Sequence, residues 1–515
     1  MRVLKNIAAA LGTQVWSGLL GLLILPVLVR SFGVQAYGIL ALSLSIIGIA
    51  SVCDLGIGRA VSKYISEETD TLADNLAERH VPTALTMVAL LSILTTGALF
   101  LSAPYLVTTV FKIPHALSHS AYLSFVYTSL AMPAVLTRIL LDGILVGHHR
   151  ITSLSGINAA SNTLKMTAGL IIALSAARIE VLVMAYVVIT YLQAFALAWL
   201  CICGAQQLVR LRLGWRKEIA VKLIKLGSLS TLANSTTYLF LYLDRWLIAI
   251  FLPIEVVGIY SVTFDIASKQ WYLANSISQA YFPVFSQYSR SRLDLTRNYL
   301  VATRLSVAAV TGAGLILAIF QRPLLTYWID PRFAAAAAPI GSVLSLALMV
   351  ACYANIPVTA LLAACEKPAV ITKLYSAGIV LHTLVSITAI PMLGGLAVAI
   401  GLATSYVFVM LGASLWLTRR TLAVKLNELL RHCFIGPWAA ALLTIVPLSV
   451  LVRSRLSNLT SVLAAMSAAY ALYLCFAWRF SYSRDERTAI SNRIAYAASE
   501  MIMRPRAKGV SEPAG

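Results

Sequence analysis

The sequence predicts an all-α integral membrane protein with about fourteen transmembrane helices, set out as two six-helix lobes followed by two further helices. Three observations predict it. The 515 residues are 59% hydrophobic and only 12% charged, with a mean hydropathy of +0.84. A soluble domain carries roughly 25% charged residues, whereas a bilayer-embedded chain is solvated by lipid over most of its perimeter. Apolar runs long enough to span, about 20 residues each, recur from end to end. Finally, the basic residues between those runs favour one side of the membrane.

The runs lie near 8–29, 37–58, 83–107, 119–142, 153–177, 181–203, 224–250, 256–286, 300–321, 337–363, 370–390, 394–417, 433–452 and 458–478. The first follows Arg2 and Lys5 and exceeds the ~7–15 apolar residues of a signal-peptide core, so it reads as a first span. The eighth is long, and a bend is expected near Pro283. Segments 215–226 and 419–432 read as basic amphipathic helices resting on the inner leaflet, or as docking sites for a partner.

Orientation follows from the loops. With the N-terminus inside, the outer loops hold Arg30, Lys112, Arg178, Arg322, Arg332, Arg453 and Arg455. Of the 40 Lys and Arg, those are seven, four more fall within the membrane, and the remaining 29 are inside. Inner groups include Arg210-Leu211-Arg212, Arg216-Lys217, Arg290 to Arg297, Arg419-Arg420 and the tail from Arg479 to Lys508. Positive residues kept on the cytoplasmic side give such a pattern, so both termini are expected in the cytoplasm. The largest polar stretch before the tail, Ser62 to His80, also falls inside.

A weak repeat divides the chain. Gly147-His148-His149-Arg150 after the fourth run answers Ala364-Cys365-Glu366-Lys367 after the tenth, and Phe32 to Gly38-Ile39 answers Phe251 to Gly258-Ile259. An offset of six helices gives halves of equal orientation, related by an axis along the membrane normal. The expected units are residues 1–210, 211–430, two extra helices at 431–480 and a cytoplasmic tail at 481–515.

Several function classes are excluded or disfavoured. A net charge of +20 would point to nucleic acid in a soluble protein, but here the bases punctuate apolar runs, and no nucleic-acid partner is expected. The seven cysteines lie mostly in apolar helices without a C-x-x-C, giving neither a disulfide framework nor a metal site. HExxH, P-loop and G-x-S-x-G motifs are missing, so no enzyme activity and no cofactor are expected. His148-His149-Arg150 sits in a short turn with no third ligand nearby.

Ionisable residues inside the spans carry the functional information. They are Asp54 in the second, with Arg59 at its very end, Arg138 and Asp142 in the fourth, Lys165 in the fifth, Asp244 and Arg245 in the seventh, and Asp265 and Lys269 in the eighth. Each costs ~2.5–3.5 kcal/mol at mid-helix, on the order of 20 kcal/mol together if all faced lipid. They must face one another or a wet cavity. Arg138 with Asp142, and Asp265 with Lys269, are spaced four apart and can neutralise each other. Asp54, Asp142 and Arg59 lie near the inner boundary, where side chains reach water. Lys165 has no acid within a turn of its own helix, so its partner comes from another helix or from an anionic ligand; the same holds for Lys269 if Asp265 is engaged elsewhere. Arg245 and Arg30 are further cationic candidates, Arg30 also reading as an interfacial anchor. Tyr238, Phe240, Tyr242, Trp246, Trp271, Tyr272, Tyr281 and Phe282 crowd the seventh and eighth runs, as an interfacial belt or as rings that stack on sugars.

Several motifs resemble a known family. Asn6, Leu25-Pro26, Arg30-Ser31-Phe32-Gly33-Val34-Gln35-Ala36-Tyr37-Gly38 and Asp54-Leu55-Gly56-Ile57-Gly58-Arg59 resemble the opening of bacterial polysaccharide and O-antigen (Wzx-type) flippases of the multidrug/oligosaccharidyl-lipid/polysaccharide (MOP) exporter superfamily. Asp244-Arg245, Val257-Gly258-Ile259-Tyr260-Ser261, Pro283 with Ser286, and Trp328 with Phe333 extend the likeness over nearly the whole chain.

The resemblance implies two six-helix lobes that alternate between inward-open and outward-open states in the inner membrane. It implies a polyprenyl-diphosphate-linked oligosaccharide as cargo for cell-surface polysaccharide, with its lipid tail in the bilayer along the two extra helices. Membrane lipid and other polysaccharide-assembly proteins are the implied partners. The implied diphosphate contacts are buried cations. Arg30, Arg59 and Arg245 sit in matched motifs, whereas Lys165, Arg138 and Lys269 are added from their burial. Asp265, Asp244, Asp142 and Asp54 remain for pairing or ion coupling. A same-fold alternative is a cation-coupled multidrug exporter, which wants an acidic cavity. A membrane glycosyltransferase or polymerase would place its chemistry on a large outer loop, and every outer loop is short.

Overall fold

The computed structural model describes residues 2–71, 76–175, 178–203, 212–288, 291–365, 368–422, 424–452 and 456–481, with Arg487. Arg210-Leu211, Asp74, Arg290, Glu366-Lys367, Arg453, Arg455 and most of the basic tail lie outside the described residues. Among the described residues there is no strand, and all fourteen apolar runs lie in helices or kinked helical runs.

The first lobe comprises α1 (Arg2–Phe32), α2 (Val34–Ala50), α3 (Ile57–Thr71), α4 (Leu76–Tyr105), α5 (His115–Leu130), α6 (Met132–Gly147), α7 (Ile151–Leu174) and α8 (Ile179–Cys203). The second comprises α9 (Lys217–Phe251), α10 (Ile254–Ala267), α11 (Gln270–Gln287), α12 (Arg292–Trp328), α13 (Pro331–Cys365), α14 (Pro368–Leu393), α15 (Gly395–Thr404) and α16 (Ser414–Leu422), the last two joined by a π-helical stretch, Ser405–Ala413. After them come α17 (Leu426–Leu429), α18 (Ile435–Val452) and α19 (Leu459–Ser481). The two extra helices dock on α12. The Tyr473 and Tyr470 hydroxyls donate to the carbonyls of Ala308 and Ala309 at 2.7 and 3.0 Å, and Arg304 Nη1 donates to Ser481 O at 3.1 Å.

Nine runs of described residues are long and apolar enough to cross a membrane by length and composition, and two shorter apolar helices precede them. The chain is therefore a multi-pass membrane protein. α7, α9 and the α10–α11 run fall outside that set. They are the helices that carry Lys165, Asp244-Arg245, and Asp265 with Lys269. Their polarity is spent inside the protein.

Three spans are broken, each for a local reason. Between α2 and α3 a 3-10 turn, Ser51–Asp54, leads into Leu55 and Gly56 at φ of 52° and 68°. Asp54 Oδ1 accepts from the Gly56 N–H at 3.0 Å, the local bond by which Asp holds such a turn. α5 passes to α6 at Ala131 because Pro133, at the start of α6, has no N–H to continue the ladder.

The eighth run breaks at Ser268-Lys269, between α10 and α11, and not at Pro283, which lies inside α11. Side chains take up the carbonyls the break frees. Ser268 Oγ donates to Asp265 O at 3.0 Å, and Gln270 Nε2 donates to Ala267 O and Ser345 O at 3.1 and 3.0 Å. Pro283 is exposed, so water can donate to the Gln279 carbonyl that its missing N–H leaves unpaired.

The amphipathic segments also differ from expectation. Residues 217–226 are the first turns of α9, which continues unbroken into its span. Their apolar face, Ile219, Ala220 and Leu223, is buried in one core with Ile57, Val61, Val81 and Leu197 of the first lobe, since packing on protein satisfies the stripe as well as lipid does. Around 419–432, α16 stops at Leu422 and the next helix starts at Leu426, so no single surface helix forms.

The lobes meet where α2 and α10 cross. A Cβ on Gly38 would strike Ile254 O, and one on Gly258 would strike Val34 O. Both pairs are related by the same shift of 220 residues, so the contact is reciprocal, as a twofold repeat of the lobes would make it.

Candidate functional site

Between the lobes lies a cavity of about 750 Å³. α7 gives it Ser155, Asn158, Asn162 and Lys165, spaced three, four and three apart on one helix face. α8 gives Tyr186, Thr190 and Gln193 with the same periodicity, α6 gives Arg138, and α2 gives Ser43. The second lobe closes it with Tyr238, Tyr242 and Tyr272. Tyr242 and Tyr272 pack against Gly48 of α2 and Gly18 of α1.

The polar wall is built before any ligand arrives. Gln193 Nε2 donates to Asn158 Oδ1 at 2.7 Å, Ser161 Oγ donates to Gln193 Oε1 at 3.0 Å, and Asn162 Nδ2 donates to Ser17 Oγ at 3.1 Å. These bonds fix α1, α7 and α8 against one another and hold the amides toward the cavity. Such groups are tolerated at membrane depth because they face a wet passage or each other.

Its electrostatics are one-sided. Arg138 Nη1 reaches Asp142 Oδ2 at 3.0 Å, the pair the four-residue spacing predicts. Lys165 has neither an ion pair nor a hydrogen bond among the described residues. No carboxylate is among the described residues that line the cavity. The lining thus presents two cations, one of them compensated from behind.

The other candidates sit elsewhere. Arg245, 6% exposed, is held against Asp244 Oδ1 at 3.5 Å and Asp265 Oδ1 at 3.7 Å, with its guanidinium 4.7 Å from the Phe264 ring centre. Two carboxylates against one base leave it committed. Asp265 is bound to Arg245 and to Tyr37, so it does not pair with Lys269. The helix break turns Lys269 away, and its Nζ stands 5.9 Å from the Tyr272 ring centre, beside the cavity rather than in its lining. Arg30 is exposed at the end of α1, and its Nε donates to Ile329 O at 3.0 Å. Arg59 is exposed on α3, and Asp54 holds the turn before it. Arg138 and Lys165 are brought together; Arg30, Arg59, Arg245 and Lys269 are not.

The cavity's amides went unread because attention to formal charge passes over Asn158, Asn162 and Gln193. Their signal was present, since amides at helical spacing inside apolar runs carry the same burial argument as charges. Among the described residues no cluster of metal-binding side chains occurs.

Comparison with known proteins agrees with this architecture. No curated protein matches the sequence. Among solved structures, the lipid II flippase MurJ in an inward closed conformation superposes with a TM-score of 0.70 at 12% identity, over 91% of this chain and 97% of that one. A multidrug resistance MATE family transporter of the MOP superfamily superposes in its inward-facing conformation with a TM-score of 0.68 at 13% identity, over 82% and 95%. An outward-facing conformation of such a transporter gives 0.60 at 14% identity, over 82% and 96%. At these identities the likeness establishes the fold. Residues 3–289, more than half of the sequence, match the family described as Polysaccharide biosynthesis protein. The chain is therefore a member of the polysaccharide biosynthesis protein family, built on the fold of the MOP-superfamily transporters.

Proposed function

We propose that the protein is a flippase that moves a polyprenyl-diphosphate-linked oligosaccharide across the bacterial inner membrane for cell-surface polysaccharide assembly. The observation that carries this reading is the interlobe cavity lined by Arg138 and Lys165 and by no carboxylate among the described residues. A diphosphate-sugar head group cannot cross hydrocarbon unaided, because its polar groups lose their hydrogen bonds. Lys165 offers a charge-assisted partner that no group among the described residues occupies. The amide and tyrosine wall provides neutral donors and acceptors for the glycan. The lobes are closed at the α2–α10 end, which the charge pattern makes the outer one, and the cargo enters from the cytoplasmic side as the first turns of α9 part from α3. Parting of the α2–α10 contact delivers the head group outward while the prenyl tail stays in lipid. A membrane potential negative inside favours that direction by about 2.3 kcal/mol per charge per 100 mV.

A cation-coupled exporter of cationic drugs on this fold calls for acids in the cavity, and the lining here holds bases. Catalysis by a glycosyltransferase calls for reacting groups that this wall lacks among the described residues.

The test is to delete the gene in its host and locate the lipid-linked oligosaccharide with a membrane-impermeant probe. The expected result is accumulation on the cytoplasmic face, reversed by the native gene. Outer-face appearance at the normal rate, with no second flippase in that cell, overturns the assignment.

A further inference from the structure

A second, smaller pocket of about 270 Å³ lies within the second lobe, bounded by α9, α11, α13, α14 and the π-helical stretch after α15. It shares its partition with the cationic cavity. On α9, Leu241 faces the pocket and Tyr242 the cavity; on α11, Trp271 faces the pocket and Tyr272 the cavity. We infer that this pocket receives one neutral sugar ring of the cargo, next to a diphosphate held on the Arg138–Lys165 side. The inference rests on the flippase reading and names a carbohydrate subsite for it.

Three features specify that ligand class. The walls are aromatic and ordered: Phe240 stands edge-on to Tyr375 at 5.7 Å and to Tyr406 at 5.4 Å, and Trp271 edge-on to Phe264 at 5.8 Å. Flat rings of this kind accept the C–H face of a pyranose. Uncommitted polar atoms accompany them. Asn355 Nδ2 donates to Asn275 Oδ1 at 2.7 Å, which leaves Asn275 Nδ2 and Asn355 Oδ1 available. The Trp271 indole N–H and the Tyr375 and Tyr406 hydroxyls make no hydrogen bond among the described residues.

An acyl chain in this pocket would strand those groups at a cost, whereas sugar hydroxyls satisfy them. Finally, the pocket's described lining carries no charge, which leaves nothing for a phosphate to pair with. Its volume lies just under the ~300–1,000 Å³ of drug-sized sites, suited to a single ring. The π-helical stretch supplies Tyr406 to this wall, and wide turns of that kind collect at functional sites.

The test measures binding of two probes to the purified full-length protein. One is geranylgeranyl diphosphate; the other is the same lipid carrying glucose, galactose, N-acetylglucosamine or N-acetylgalactosamine on the diphosphate. At least one sugar should tighten binding about tenfold, the gain of one or two good hydrogen bonds. Trp271→Ala and Asn355→Ala should each abolish that gain while leaving the sugarless probe bound as before, which also shows the variants folded. A gain that survives both substitutions, or no gain with any of the four sugars, overturns the subsite while leaving the flippase reading intact. If neither probe binds, the flippase reading fails and the subsite with it. Ethidium binding that is lost in Trp271→Ala, with no sugar gain, assigns the pocket to aromatic cations and likewise overturns the proposal.

Discussion

The Tyr37 hydroxyl donates to Asp265 Oδ2 at 2.8 Å, joining α2 of the first lobe to α10 of the second. Asp265 is held on its other oxygen by Arg245, 3.7 Å away, so the acceptor stays aimed at the seam. This bond exists only while the α2–α10 contact is closed. Tyr37→Phe keeps the ring and deletes the donor, and a hydrogen bond to a charged acceptor contributes about 1.5–3 kcal/mol. The open state should gain at least about tenfold in population. Spin labels at the exposed positions Gln35 and Glu255, in a cysteine-free background, should show a new long-distance component. An unchanged distance distribution would mean that the bond does not latch the lobes.

The two intramembrane lysines should separate in function. Lys165 lines the cavity without a partner among the described residues, whereas Lys269 stands beside it over Tyr272. Lys165→Ala should lower polysaccharide export at least about tenfold at normal protein level, as expected for loss of one charge-assisted contact. Lys165→Arg should restore most of it. Lys269→Ala should cost less than about threefold. Quantified surface polysaccharide against immunoblotted protein decides the matter, and equal losses at both sites would refute the geometric distinction.

The span pattern was legible because lipid demands about 20 apolar residues per crossing, a constraint written in composition. The Arg138–Asp142 pair was equally legible, since both partners ride one unbroken helix. Asp265 and Lys269 show where that logic stops. Their four-residue spacing is real, but the chain breaks at Ser268-Lys269 and the acid finds Tyr37 and Arg245 instead. Those partners come from other elements, 228 and 20 positions away in sequence, and no local pattern reveals them. Arg30 and Arg245 share motifs with the family yet bind a carbonyl and two carboxylates. A cation in a motif-like stretch identifies a position, and only the fold says what it faces.

Arg138 and Asp142 are 29% and 25% exposed, so their pair is worth less than a fully buried one, and Asp142 Oδ1 has no hydrogen-bond partner among the described residues. Arg138→Ala leaves the half-buried carboxylate without its base, and the protein in detergent should melt a few degrees lower. Replacing both, Arg138→Leu with Asp142→Leu, removes the stranded charge and should recover most of the loss in stability. Transport should not recover, because the cavity then keeps only Lys165. A double variant that exports normally would remove Arg138 from the binding wall.

Gly38 and Gly258 make the sharpest demand on the interlobe contact. Each faces a backbone carbonyl of the other lobe, Ile254 O and Val34 O respectively, and backbone cannot swing aside as a side chain can. Any Cβ therefore pushes α2 and α10 apart, at the ~1–3 kcal/mol typical of overpacking. That cost falls on the closed state alone, since the carbonyls recede when the lobes separate. Gly38→Ala and Gly258→Ala should each raise the open population about ten- to hundredfold, by the arithmetic of a two-state shift. Because the two glycines occupy equivalent places about one axis, their effects should match within about threefold. The double variant should do no more than either alone once the contact is already parted, a non-additivity expected of residues in one contact. The Gln35–Glu255 label distance measures all three. A strong effect at one glycine and none at the other would break the symmetry argument, and additive effects would mean the two positions open independently.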